Sequence, residues 1–155
     1  MRYVGYNTQL KCISLNQPYA YLLASGVKSI EIRKWNTKFR GEFLIHASKS
    51  VNTDAMSVYP IEATDLVKGA IIGKAYLYGI KKYSNRDDFI HDFNKHFSVD
   101  KTNHESSFKR YGFLIHNSML FEKSIPYPGK LGFFDVNPGL LNNNNLKESI
   151  WYFDL

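Results

Sequence analysis

Cysteine is almost missing from this sequence: Cys12 is the only one in 155 residues. A disulfide framework and a cysteine-built zinc site within one chain are thereby excluded. No apolar run approaches the roughly 20 residues that a membrane helix needs. The opening MRYVGYNTQLK also lacks the apolar centre of a secretory signal. What is present describes a folded chain. Hydrophobic residues make up 44% and charged residues 22%, which excludes wholesale disorder. Aromatic residues reach 15%, with 11 Tyr and 11 Phe, and are expected to supply much of the core. A domain of this size hides about 70% of its unfolded surface, enough to hold a core without metal or cross-link. The expectation is a single-domain cytoplasmic protein with no metal and no cofactor.

Acidic residues are scarce in one region. Residues 1–50 hold eight Lys and Arg against Glu31 and Glu42, whereas the remaining residues hold twelve of each sign and cancel. The whole formal charge of +6 therefore lies in the first third. An excess concentrated in this way suits a polyanion, phosphate above all, although a plain solvated basic face has the same composition.

Period-two alternation predicts a strand at 10–15, with Lys11, Ile13 and Leu15 opposed to Cys12 and Ser14. A helix is predicted over 16–25: Asn16 or Gln17 can cap it, Pro18 suits its first turn, and Gly26 fits the left-handed position beyond its end. Strands are predicted at 29–35 and 42–48, joined by the basic turn NTKFRG (36–41). A short helix is expected within 50–68. The run 69–83 reads as one long bent strand or two short ones, with Gly69, Gly73 and Gly79 as bend or bulge positions. Residues 86–97 predict a helix capped by Asn85, with Phe89, Ile90, Phe93 and Phe97 on one face. Strands at 111–121 and 130–136 follow, joined through the turn 125–129. The sum is an α+β fold, a small mixed β-barrel of about five or six strands with two or three flanking helices, over residues 1–141. Residues 142–155 read as an Asn-rich linker and an aromatic tail.

The segment carrying the most chemistry is Gln17-Pro18-Tyr19-Ala20 followed by Gly26-Val-Lys28-Ser-Ile-Glu31-Ile-Arg33-Lys-Trp35. Period-two geometry puts Glu31 and Arg33 on one strand face, with Lys28 at the strand's mouth beside a helix start. Such a corner can hold a phosphate or a base edge. A surface ion pair of Glu31 with Arg33 is the plain alternative. Tyr19 and Trp35 can stack on a base or fill the core. His46 can face a cleft or bond backbone inside. The other four histidines show no metal-ligand spacing.

These residues resemble the ASCH domain family of the PUA-like superfamily. The resemblance rests on Gln17-Pro18-Tyr19-Ala20, Gly26, Lys28, Glu31, Arg33, Trp35, Arg40-Gly41 and His46-Ala47-Ser48, close over residues 12–49 and looser beyond. It implies a PUA-like barrel with a cleft between the Gly-Xaa-Lys strand and the Gln-Pro helix start, binding RNA or nucleotide-like ligands. Some relatives are enzymes, hydrolysing the acetyl amide of N4-acetylcytidine or cleaving RNA. The amidohydrolase group uses the motif lysine as base and a threonine three residues later as nucleophile. Glu31 stands at that threonine position, and Ser29 does not replace it. The first expectation is therefore a module for RNA or a nucleotide-like ligand. Gln17, Tyr19, Lys28, Glu31, Arg33, Trp35, His46 and Ser48 are its candidate contacts, and the basic turn Lys34–Arg40, with Lys38 and Arg40, meets phosphates together with Lys49. The alternative is a small hydrolase acting on RNA or a modified nucleoside, with Lys28 and Glu31 catalytic.

Overall fold

The computed structural model describes residues 9–58, 66–99, 108–137 and 139. Strand β1 (Leu10–Gln17) opens the chain, followed by α1 (Tyr19–Ala24), β2 (Ile30–Arg33) and β3 (Gly41–Val51). Then come α2 (Thr53–Val58), β4 (Ala70–Tyr83), α3 (Arg86–His91), α4 (Phe93–His96), β5 (Arg110–Pro126) and β6 (Phe133–Val136). The six strands form one mixed sheet in the order β2-β5-β4-β3-β1-β6. Only β1 and β3 run parallel; the other pairs are antiparallel. The aromatic tail 142–155 lies outside the described residues.

The α+β class is as the sequence predicts, but the barrel is not closed. Strands β2 and β6 are its two edges, and no ladder joins them. Each has only four residues. Side chains fill the seam instead. Phe113 of β5 stacks on Phe133 of β6 at 6.1 Å, and Trp35 meets both edge-on at 5.2 and 5.9 Å. Nearby, Arg33 Nη2 of β2 donates to the Ser14 carbonyl of β1 at 3.0 Å, a side-chain bond between two strands that share no ladder.

Alternation gives the sheet two apolar faces. Ile13, Leu15, Phe43, Ile45, Ala47, Ile72 and Leu77 bury one face under Ala20, Leu23 and Ala24 of α1. Cys12, Leu44, Ile71, Phe121, Ile125, Phe134 and Val136 form a second core on the other. Helix α1 starts three residues later than the pattern suggests. Gln17 remains in β1, yet its Oε1 accepts from Tyr21 N at 3.0 Å, so it still satisfies the helix start. Gly26 takes the expected left-handed φ of +83°. Strand β4 is a single long strand, with register shifts at Gly73 and Gly79.

Two further differences matter. The helix expected over 86–97 divides at Asp92 into α3 and α4, so the described residues hold four short helices where two or three were expected. The Asp92 side chain turns inward and accepts from Lys81 Nζ and the Tyr83 hydroxyl, both at 2.6 Å. Within α3, Ile90 faces out at 58% exposure while its neighbour Phe89 is buried. Strand β5 also runs through Ile125 and Pro126, which shifts the turn to the residues between it and Phe133, where β6 begins.

Candidate functional site

Lys28 follows the Gly26 turn, its backbone N–H held by the Leu22 carbonyl at 2.9 Å. This puts its side chain under α1 and α4 with 0% exposure. Nζ donates to the His96 carbonyl, lies 3.3 Å from Glu31 Oε1 and sits 5.1 Å from the centre of the Tyr19 ring. Burial pushes the ammonium below its ordinary range, and the Glu31 charge opposes that shift. Glu31 Oε2 accepts from Arg33 Nε at 2.9 Å and faces Nη2 at 2.8 Å. Lys28, Glu31 and Arg33 thus converge as expected, but as a row of ion pairs in which Lys28 is the sealed end. His96, which covers that end, is neutral: Nε2 donates to the Phe89 carbonyl at 2.6 Å and Nδ1 accepts from Ser98 N at 2.9 Å.

Arg33 is the end that meets open space. It lines three adjoining cavities. The first, about 390 Å³, is walled by Tyr19, Lys34, Asn52, Asp54 and Ser98. A smaller one of about 210 Å³ lies over Ser14, Asn16, Tyr19 and Glu31. The largest, about 590 Å³, is bounded by Ser14, His46, Ser48, Lys49, Tyr127 and Lys130. Burial raises the Tyr19 phenol, Glu31 adds to the rise, and Ser98 beside it works against it.

The remaining expected residues fall in three places. His46 and Ser48 line the largest cavity. His46 is also bonded to backbone, so both readings of it hold at once: Nε2 donates to the Tyr127 carbonyl at 2.6 Å. Gln17 is buried and structural, with Nε2 on the Val67 carbonyl at 2.8 Å. Trp35 sits in the aromatic seam rather than in a cavity. Lys38 and Arg40 are exposed in the turn beyond the cavities, where Arg40 Nη1 caps the Thr37 and Phe39 carbonyls.

Ser98, Asn52 and Tyr127 were not anticipated. They come from loops and strand ends distant in sequence, and no local pattern marks them. Among the described residues no cluster of three or more His, Cys, Asp or Glu could hold a metal. No described helix is long and apolar enough to cross a membrane.

A family model described as the ASCH domain matches residues 13–123. The crystal structure of ASCH from Zymomonas mobilis superposes with a TM-score of 0.63 at 16% identity, covering 86% of this chain and 94% of that one. A tyrosine-to-phenylalanine variant from the same organism gives 0.62 at 15% identity over 88% and 96%. A serine-to-alanine variant gives 0.61 at 16% over 86% and 92%. At these identities the likeness is one of fold. No curated protein matches the sequence significantly. The extent of the family match, with the fold beneath it, makes this chain a member of the ASCH domain family.

Proposed function

We propose that the protein binds RNA or a nucleotide-like ligand in the groove lined by Arg33. One observation carries this reading. Arg33 Nε and Nη2 are held by Glu31 and the Ser14 carbonyl, while Nη1 has no hydrogen bond among the described residues. A guanidinium clamped on one side is a preorganised phosphate contact, because little side-chain freedom is left to lose on binding. Lys34, Lys49 and Lys130 add cations along the walls, and the Tyr19 ring offers a stacking surface. Lys28 supports this from beneath by fixing Glu31, which fixes Arg33.

Anisotropy with labelled single-stranded RNA across a salt series tests the proposal. Arg33→Gln lowers affinity about tenfold or more, the scale of a lost charged hydrogen bond. Lys34→Ala and Lys49→Ala each weaken binding evenly across sequences and reduce the salt slope by about 1. Lys38→Ala with Arg40→Ala weakens RNA but not a mononucleotide, since both lie outside the cavities. Wild-type affinity and slope in the Arg33 and Lys34 variants would refute the reading.

Hydrolysis of RNA or of a modified nucleoside is the second reading, favoured by the lowered pKa of Lys28 beside Tyr19 and Ser98. Against it, both oxygens of Glu31 are already in ion pairs with Lys28 and Arg33, which hold its charge and make it a weaker base toward water. Denaturing gels of the same RNA, together with acetylated cytidine, decide between them. Turnover that Lys28→Met abolishes would establish the hydrolase.

A further inference from the structure

The parallel ladder of β1 and β3 sets Ser14 directly beside His46. Their side chains lie on the face that carries Cys12 and Leu44 one rung earlier and Asn16 with Ser48 one rung later. Apolar contact thus gives way to polar contact where this face opens into the 590 Å³ cavity. The Tyr127 carbonyl can only accept, so the 2.6 Å contact with His46 Nε2 assigns the proton to that nitrogen. Nδ1 of the neutral ring then accepts, and Ser14 Oγ donates to it at 2.8 Å. The serine has a base in hydrogen-bond reach, and the base has a fixed tautomer. This is the relation that nucleophilic catalysis requires.

The surroundings add two features. The chain crosses close over the pair at Gly129, where a Cβ would come 2.8 Å from His46 Cε1 and 3.0 Å from Ser14 Oγ. Any residue other than glycine would crowd the serine oxygen. The charged groups lining the cavity are Arg33 from β2, Lys49 from β3 and Lys130 from the turn before β6, with Tyr127 the remaining titratable one. No carboxylate is among its described lining residues.

We propose that Ser14 and His46 form a nucleophile–base pair that acts on carboxylic esters bearing an anionic group. In the first step Ser14 Oγ bonds to the ester carbonyl carbon while its proton passes to His46 Nδ1. The carbon–oxygen bond to the alcohol breaks, and the departing oxygen takes that proton. Water then adds to the acyl-serine and gives a proton to His46. The carboxylic acid leaves, and Ser14 recovers its proton. No metal, oxidant or further reactant is needed. The cations hold the anionic group of the substrate. This site goes beyond the RNA reading and does not require it.

A fluorophosphonate probe, with peptide mapping by mass spectrometry on the whole chain, tests the pair. Labelling is expected at Ser14, absent in Ser14→Ala and at least about 100-fold slower in His46→Gln, the scale of a lost general base. The labelling rate should rise with pH through a midpoint below 6.5, because burial pushes the His46 ring down. A hydroxyl with only a packing role would show no such midpoint. The 4-nitrophenyl hemisuccinate should turn over faster than the neutral acetate, with the difference fading in high salt. Ser14→Ala changes few contacts and keeps the test open if His46→Gln does not fold. No labelling of wild type, or labelling elsewhere, overturns the pair. Equal rates on the two esters overturn the anionic preference. RNA affinity measured on the same samples separates either failure from that of the RNA reading.

Discussion

Helix α4 and the residue before it touch two buried charge clusters that solve one problem in opposite ways. At one, the cation is inside: Lys28 is sealed, and its partner Glu31 is itself buried and shared with Arg33. At the other, the anion is inside: Asp92 is buried, while Lys81 and Lys95 reach it from the surface with side chains 44% and 55% exposed. A buried charge is costly to leave alone, whereas an exposed partner regains water when its pair is broken. The two clusters should therefore respond very differently to loss of a single member.

The largest effect is expected at Glu31. Replacing it with Leu strands the Lys28 ammonium and frees Arg33 together, at a cost of about 3–5 kcal/mol in urea unfolding. Lys28→Met should cost less, because Glu31 keeps Arg33 and the apolar side chain fills similar space. If the order were reversed, Lys28 would not depend on Glu31. Tyr83→Phe comes next. It removes the 2.6 Å hydroxyl bond to Asp92 and leaves Lys81 in place, for about 1.5–3 kcal/mol.

Acid separates the clusters further. His96, over Lys28, and His46 are both held below the ordinary 6.5, chiefly by burial. The unfolded chain then binds protons that the folded one refuses. This part of the stability is complete above pH 6.5 and falls as pH drops through that value toward the folded pKa, by up to about 1.4 kcal/mol per pH unit for each histidine. For Asp92, burial works upward but the Lys81 and Tyr83 hydrogen bonds outweigh it, and the net pKa lies below 3.8. Its contribution is complete above pH 3.8 and is lost as pH falls through the folded value. Melting curves against pH should show two stages, the first flattened by His96→Gln and the second by Asp92→Asn. A single stage in all three proteins would contradict this assignment.

How much of this the sequence disclosed depends on the range of each contact. Alternation placed Glu31 and Arg33 on one face, and turn chemistry placed Lys28 before them, because those relations span a few residues. The helix cap was legible as Asn16 or Gln17 for the same reason, and Gln17 takes it. The seal over Lys28 was not, since it needs the His96 carbonyl, 68 residues away, and the helix break at Asp92 that delivers it. That break answers to Tyr83 and Lys81 on another strand, which no periodicity within 86–97 reports. Strand pairing was equally hidden. Period two assigns faces, but only the parallel register of β1 with β3 brings Ser14 to His46. Closure of the sheet turned on the lengths of β2 and β6, and strand ends are where propensity speaks least clearly.

Lys81→Ala gives the smallest effect and the sharpest contrast. It breaks a 2.6 Å ion pair, as short as the bond that Asp92 accepts from Tyr83. Distance alone would rank it beside Tyr83→Phe. Exposure decides otherwise: the ammonium is already half in water, holding a long side chain in place costs entropy, and Asp92 retains the Tyr83 hydroxyl. The expected loss is about 0–1 kcal/mol, shrinking further as salt screens the pair. Urea unfolding of Lys81→Ala and Tyr83→Phe at low and high salt makes the comparison directly. A salt-insensitive loss at Lys81 as large as that at Tyr83 would mean that Asp92 is held by its cation, and the two clusters would then follow one rule.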